Sequence, residues 1–300
     1  MDGDAAIIEV GLNEAVMRAT NEHVAYAPAE CAADALRCAD AGAAVVHWHA
    51  RDPATGAPRF GDATAYGEAL ELMRAGSDVL AYPTYPVDVP VERRLDHVWE
   101  LGRDHGLELA PIDIGSVTNV LWDDTSRDFV GVDLLGDAAV VANPLSFTLD
   151  GLARAEQLGM TPTLGAFDVG FTRTMVLLAE ADRLRPPVFL KIFLSGAWAV
   201  GPFPSEAALD LHLAQIPDDL DVEWVAVPYA LDDATTVERL CRAALERGGG
   251  IRIGIGDNPR AFGDLANAAL VERAATWCAG SGRAIATPEN VRARFGITFR

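Results

Sequence analysis

No stretch of this 300-residue chain approaches the roughly 20 consecutive apolar residues that cross a bilayer, although half of its residues are hydrophobic. Basic residues are scarce: 24 Lys and Arg stand against 44 Asp and Glu, a net charge of −20. Nucleic acid and anionic membrane surfaces both need a concentrated basic footprint, so neither is expected as a partner. The acidity itself reports solubility and does not identify a cationic substrate. Only four cysteines occur, at Cys31, Cys38, Cys241 and Cys278, all within helix-like segments. None forms a CxxC pair or neighbours a histidine cluster, so they read as reduced core thiols. The acidic start MDGDAAIIEV has neither the basic residues nor the apolar run of a signal peptide, and a cytoplasmic location is expected. Linkers, low-complexity tracts and breaks in composition are missing too, so residues 1–300 read as a single domain. A chain this long buries a large core without needing a disulfide or a structural metal.

What is present is an alternation of apolar, β-rich runs with amphipathic helical runs. The expected strands are 7–12, 45–50, 79–85, 108–115, 161–168, 186–194, 222–230 and 250–257. Helical runs rich in Ala, Leu, Glu and Arg lie between them, as at 29–42, 91–104 and 233–248. Several of these end on a glycine just before the next strand (Gly42, Gly106, Gly159, Gly248), where a left-handed cap is needed. Eight strand–helix units imply parallel βαβ connections and an α/β fold, the TIM (β/α)8 barrel. The fingerprint GxGxxG is absent after the first strand, which disfavours a dinucleotide-binding fold. Residues 116–146 carry no clear pattern and are expected to form a loop before the fourth helix.

A barrel places its chemistry at the C-terminal ends of its strands. At the end of the second strand stand His47 and His49, one residue apart and therefore on the same side of the strand. Facing the barrel interior, two imidazoles make half of a metal site; the alternative is a hydrogen-bonded core pair. Trp48 points the other way and is expected to pack on a helix. Glu14 follows the first strand and is a candidate ligand, general base or substrate-orienting group. Arg252 and Asp257 bracket a glycine-rich turn at the last strand, as an anion anchor and a base or ligand, or as a structural pair. Thr84 and Ser116 are candidate substrate donors or turn caps, and Asp113 and Asp168 are further ligand candidates.

Taken in order, these residues resemble the β-keto acid cleavage enzymes, the family of the 3-keto-5-aminohexanoate cleavage enzyme. The resemblance runs from about Ile8 to Thr287 and is densest at AGAAVVHWHARDPATG (41–56) and GGGIRIGIGDN (248–258). The opening GLNEA, the turns at Thr84 and at Gly115-Ser116, and the closing ATPE fall in family order as well. What the resemblance implies is an oligomeric TIM barrel with a divalent metal, commonly zinc, held by His47 and His49. The implied reaction takes a β-keto acid and acetyl-CoA to acetoacetate and the CoA ester of the remaining acyl group. Glu14, Thr84, Ser116, Arg252 and Asp257 match positions that bind substrate or take part in proton transfer.

The chain departs from the family pattern at three places. The family's metal-binding glutamate falls on Gly256, a second family carboxylate falls on Gly165, and Tyr82-Pro83-Thr84-Tyr85 replaces a small-residue turn that Tyr85 is expected to crowd. The metal site is then expected to be completed by Asp257, Asp113 or Glu14, or to rely on the two histidines with water and substrate. The expected activity is metal-dependent β-keto acid cleavage with acetyl-CoA as co-substrate. A metal-dependent hydrolase or lyase on another small carbonyl compound and a non-catalytic barrel remain the alternatives. Substrate selectivity is expected from Tyr82, Tyr85 and the segment Trp198–Phe203.

Overall fold

The computed structural model describes residues 5–118, 120–123, 125–130 and 140–298. Among them, eight parallel strands form one sheet: β1 (Ile8–Gly11), β2 (Val45–Trp48), β3 (Leu80–Pro83), β4 (Leu109–Asp113), β5 (Thr161–Ala166), β6 (Val188–Ser195), β7 (Val222–Tyr229) and β8 (Gly250–Ile253). Their order is β3-β2-β1-β8-β7-β6-β5-β4, and the two ends, β3 and β4, lie against each other to close the barrel. Helices follow the strands: α1 (Pro28–Asp40), α2 (Ala63–Gly76), α3 (Asp96–Asp104), α4 (Leu145–Leu158), α5 (Val169–Glu180), α6 (Glu206–Leu213), α7 (Ala234–Glu246) and α8 (Asn267–Gly280), with a further α9 (Pro288–Phe295). The expected (β/α)8 barrel is the fold.

Alternation along each strand divides the core in two. Ile8, Val10, Val46 and Trp48 face outward and pack with the helices in one apolar cluster. Ile7, Val45, Leu80, Leu109, Phe189 and Val225 face inward and fill the barrel in another. Strands buried on both faces read as continuous apolar runs, which is why they were visible in the sequence. Trp48 behaves as expected, its ring edge-on to Tyr66 of α2 at 5.3 Å. The four cysteines are buried and free. Burial pushes the Cys31 thiol up to about 12, so it stays protonated and unreactive.

Local chemistry explains the element boundaries. Glu30 in the first turn of α1 accepts the Tyr26 and Ala27 backbone N–H groups, both at 2.9 Å. Asp233 caps α7 through the Thr235 and Thr236 N–H groups. Gly42, Gly106, Gly159 and Gly248 all have positive φ, as the helix-ending pattern required. The helix expected over 91–104 is broken into a 3₁₀ turn at Val91–Arg93 and α3. Between them Arg94 is buried and reaches the Ala142 carbonyl and Asn143 Oδ1, at 2.8 and 2.5 Å. The loop expected over 116–146 lies partly outside the described residues. Its described parts form two short antiparallel ladders, Val117–Thr118 with Val140–Val141 and Leu121–Asp123 with Asp128–Val130. The last strand ends at Ile253, four residues earlier than expected, because Gly254 turns tightly over the Gly11 backbone.

A side chain at Gly254 would collide with the Gly11 backbone carbonyl, which cannot yield as a side chain can. Gly254→Ala is therefore expected to lower stability by about 3 kcal/mol, the upper part of the overpacking range, as read by urea unfolding. Gly280→Ala, which meets only the end of Arg242 at 3.6 Å, serves as the control. Equal midpoints for the two variants would disprove tight closure at the β1–β8 seam.

Candidate active site

The β1 end sets the frame. Glu9 and Arg252 are partners across the β1–β8 ladder, and Gly11 and His47 are partners across β1–β2. Asn13 then clamps the end of β2: its Oδ1 accepts the His49 N–H at 2.8 Å, and its Nδ2 donates to the His49 and Ala25 carbonyls at 2.9 Å each. The next residue, Glu14, has φ +39, a left-handed conformation that is strained for a glutamate. Arg51 holds it there, donating to the Glu14 carbonyl at 2.7 Å and to the Gly56 carbonyl at 2.5 Å. Asp52 shapes the turn that follows by accepting from Ala54 and Thr55.

The left-handed turn at Glu14 aims its carboxylate at the two histidines. Glu14 Oε1 lies 3.1 Å from His47 Nε2, Glu14 Oε2 lies 2.7 Å from His49 Nε2, and the two Nε2 atoms are 3.0 Å apart. The other nitrogen of His47, Nδ1, is 3.1 Å from the Tyr82 carbonyl, so it carries the proton and donates there. His47 Nε2 is then left with a lone pair aimed at a carboxylate and a second imidazole. Burial, with the positive charge of Arg252 beside it, pushes His47 down to about 4, so it is neutral near pH 7. Burial alone would raise Glu14, but its electrostatic coupling to the adjoining imidazoles, His49 foremost, outweighs burial and holds the carboxyl well below its usual range. Three electron-pair donors within 4.8 Å of one another converge on one point. A divalent cation fits that donor set, and imidazole with carboxylate suits zinc.

Carboxylates from neighbouring strands or turns occupy the space beside both glycines. A Cβ at Gly256 would sit 2.7 Å from Glu14 Cγ, so the space of a side chain at 256 is filled by Glu14. A Cβ at Gly165 would collide with Asp113 Oδ1, so Asp113 fills that space from β4. Tyr85 does crowd this side: its hydroxyl donates to Asp113 Oδ2 at 2.5 Å and accepts from Asn143 Nδ2 at 3.1 Å. Burial pushes the Asp113 carboxyl up despite that hydrogen bond.

Arg252 is 2% exposed and has every donor engaged within the protein. Nη2 reaches Glu14 Oε1 at 2.5 Å and Asp257 Oδ1 at 2.6 Å; Nε reaches Asp257 Oδ2 at 3.1 Å. Nη1 reaches the Tyr82 hydroxyl at 3.0 Å and Glu9 Oε1 at 3.4 Å. Asp257 is fully buried behind it, and burial outweighs Arg252 to push its carboxyl up to about 6. Thr84 lines the cavity, whereas Ser116 is exposed and its Oγ accepts the Asn143 N–H at 3.0 Å, a loop-shaping bond. Asp168 accepts the Gly170 N–H at 2.8 Å as the cap of α5 and is not brought to the cluster.

The cluster opens into a cavity of about 480 Å³ above the inner barrel layer. Its floor includes a residue that the sequence reading passed over, Lys191, the only lysine of the chain. Lys191 is 3% exposed, pairs with Glu9, and lies 4.0 Å from the centre of the Tyr82 ring. Its scarcity was the available signal: one lysine on an otherwise apolar strand needs a buried counter-charge. Glu9, inside β1, carried the same signal.

Comparison with known proteins gives a consistent result. Residues 5–297 match the model of the family described as beta-keto acid cleavage enzyme. The 3-dehydrocarnitine:acetyl-CoA trimethylamine transferase of Rhizobium meliloti (strain 1021) is 28% identical over 304 residues, covering 93% of this chain and 92% of that protein. Apo ObcA superposes with a TM-score of 0.63 at 16% identity over 91% of this chain and 65% of that one. The ternary complex of ObcA with C4-CoA adduct and oxalate gives 0.64 at 17% identity, over 91% and 67%. This chain thus spans about two thirds of ObcA's length, and the likeness establishes the fold.

Burial pushes Lys191 from 10.5 down to about 8, Glu9 opposing the shift only in part. Protein carrying ¹³C-labelled lysine is expected to show one lysine ε-carbon signal that titrates near pH 8. Between about 8 and 10.5 the unfolded chain binds the extra proton, so this group's contribution to stability grows as pH rises through that window. A transition above 10 would mean that the ion pair with Glu9 outweighs burial.

Proposed function

The chain belongs to the beta-keto acid cleavage enzyme family, and on that footing we propose that it is a divalent-metal-dependent acyltransferase, zinc being the metal best suited. It converts a β-keto acid and acetyl-CoA into acetoacetate and the CoA ester of the remaining acyl group. The observation that carries this reading is the convergence of His47, His49 and Glu14 on the floor of a 480 Å³ cavity. Those three residues would hold the metal, which when bound supplies a Lewis acid for the ketone and carboxylate oxygens of the substrate.

The protein's own groups do the remaining work. Asp257 positions Arg252, and Arg252 fixes Glu14 while keeping positive charge beside the place where an acid binds. Asp113 faces the cavity with a carboxyl raised by burial, which suits it to exchange a proton with the bound acid. Thr84 is available at the rim as a substrate donor; the geometry favours a loop-shaping role for Ser116. The relative from Rhizobium meliloti, named as an acetyl-CoA transferase, and the ObcA complex containing a CoA adduct support acetyl-CoA as the co-substrate. A cytoplasmic homo-oligomer belongs to the same reading. No described helix is long and apolar enough to cross a membrane, and exposed Leu145 and Phe203 are apolar side chains that a subunit contact would cover.

Metal analysis of protein purified without chelator is expected to find near-stoichiometric divalent metal. The His47→Ala and Glu14→Gln variants should each lose most of it. Glu14→Gln retaining full metal would remove Glu14 from the ligand set. With acetyl-CoA and a panel of β-keto acids, wild type should form acetoacetate. Asp113→Asn should lose about 100-fold or more in kcat, the scale of a lost acid–base group, while keeping its metal. Metal-dependent turnover indifferent to acetyl-CoA would favour a lyase or hydrolase instead.

A further inference from the structure

The two sides of the cavity differ in chemistry. Its floor carries His47, His49, Glu14, Lys191 and Arg252, the charged and ligand groups described above. The far wall is aromatic: Phe167, Phe193, Tyr229 and Trp198 form a continuous circuit of contacts. Phe167 stacks on Phe193 with centroids 4.0 Å apart and on Trp198 at 5.5 Å; Tyr229 stands edge-on to Phe193 at 5.6 Å and to Trp198 at 5.4 Å. Leu121 and Val117 extend this surface from the segment after β4. Leu121 is bridged to Trp198 backbone to backbone, and the Ala199 N–H donates to the Val120 carbonyl at 2.9 Å, so the segment after β4 and the aromatic wall are one unit.

We propose that the substrate is a β-keto acid with a bulky, uncharged, apolar acyl group, aromatic or branched aliphatic, which lies on the wall formed by Phe167, Phe193, Trp198 and Tyr229. The inference rests on the keto-acid reading above and specifies its substrate class. A cavity of about 480 Å³ falls in the range of roughly 300 to 1,000 Å³ typical of sites for drug-sized ligands, room that the acyl group shares with the acetyl end of the co-substrate. An anionic tail has no free partner there: Lys191 and Arg252, whose guanidinium lies 5.9 Å from the centre of the Phe193 ring, are already paired with carboxylates. A quaternary ammonium needs several ring faces open around it. Here Phe167 and Phe193 cover each other's faces, leaving no ammonium-sized gap between them. Of the carboxyls that line the cavity, Glu14 is engaged with His47, His49 and Arg252, and Asp113 already accepts the Tyr85 hydroxyl and is pushed toward its neutral form by burial. What remains is an apolar surface, on which each buried methylene strengthens binding about fourfold.

The test compares four acids with saturating acetyl-CoA on the metal-loaded enzyme: 3-oxopentanoate, 3-oxo-5-phenylpentanoate, 3-oxoadipate and 3-dehydrocarnitine. The phenyl compound is expected to exceed 3-oxopentanoate by about tenfold or more in kcat/KM, and the two charged tails to fall below it. Phe193→Leu removes the ring while keeping most of the volume, and should shrink the phenyl-to-ethyl ratio severalfold. Calorimetric binding of the same acids without acetyl-CoA should give the same order, independently of turnover. A charged tail ranking first in both measurements overturns the apolar assignment and leaves the keto-acid reading standing. Absence of acetoacetate from all four acids, with the phenyl acid still binding tightest, sinks the proposed reaction but not the character of the wall. Equal binding of all four acids overturns the inference about the wall itself.

Discussion

The guanidinium of Arg252 is the point on which the site depends. A planar cation with five N–H donors can satisfy several acceptors in fixed directions. Here its donors reach Glu14, Asp257, Tyr82 and Glu9, groups carried by the first, third and last strands or the turns beyond them. Burying that many charges is tolerable only because each has a partner with good geometry. Without the arginine, three carboxyl groups would be left in a space with almost no access to water. Lys191 extends the network by one more pair, through Glu9. The strained turn at Glu14 persists because Arg252 holds its carboxylate and Arg51 holds its carbonyl.

Around this hub, two glycines take on a meaning that their own positions do not suggest. At Gly256 and Gly165 a side chain would occupy volume already taken by carboxylates arriving from the first and fourth strands. The inner barrel layer is close-packed, so these carboxylates keep their positions only while 256 and 165 stay without side chains. The pairs Gly256 with Glu14 and Gly165 with Asp113 are therefore best understood as single units of volume and charge. Tyr85 belongs to the second of these, because its hydroxyl fixes the direction in which Asp113 points.

Much of the architecture was legible in the chain because its strands are buried on both faces and its helices end on glycines with positive φ. His47 and His49 were legible for the same reason: a two-residue period needs no three-dimensional information to put both imidazoles on one side. Glu14 was visible as a candidate ligand, general base or substrate-orienting group, a choice the chain left open because its direction depends on a left-handed turn that no local pattern announces. Arg252 and Asp257 looked equally suited to chemistry and to structure until the count of donors and acceptors became available. Asn13, Glu9 and Lys191 stayed hidden because their partners lie at sequence separations that only barrel closure brings together: Asn13 serves His49, and Glu9 meets a lysine 182 positions away. The break before α3 was missed because it answers to Asn143, in a distant loop.

Having a single lysine, and that one in the floor of the cavity, determines how the outside of the protein responds to modification. Every positively charged side chain that the surface displays is a guanidinium, apart from histidines that gain a proton. Acetylation of ε-amino groups therefore cannot make the exterior still more acidic, and ubiquitin has no exposed ε-amine to attach to. Amine-directed cross-linkers find no lysine anchor on the folded surface either. The only ε-amine in the molecule is screened by the same barrel wall that encloses the cavity, so its reactivity serves as a gauge of whether that wall is intact.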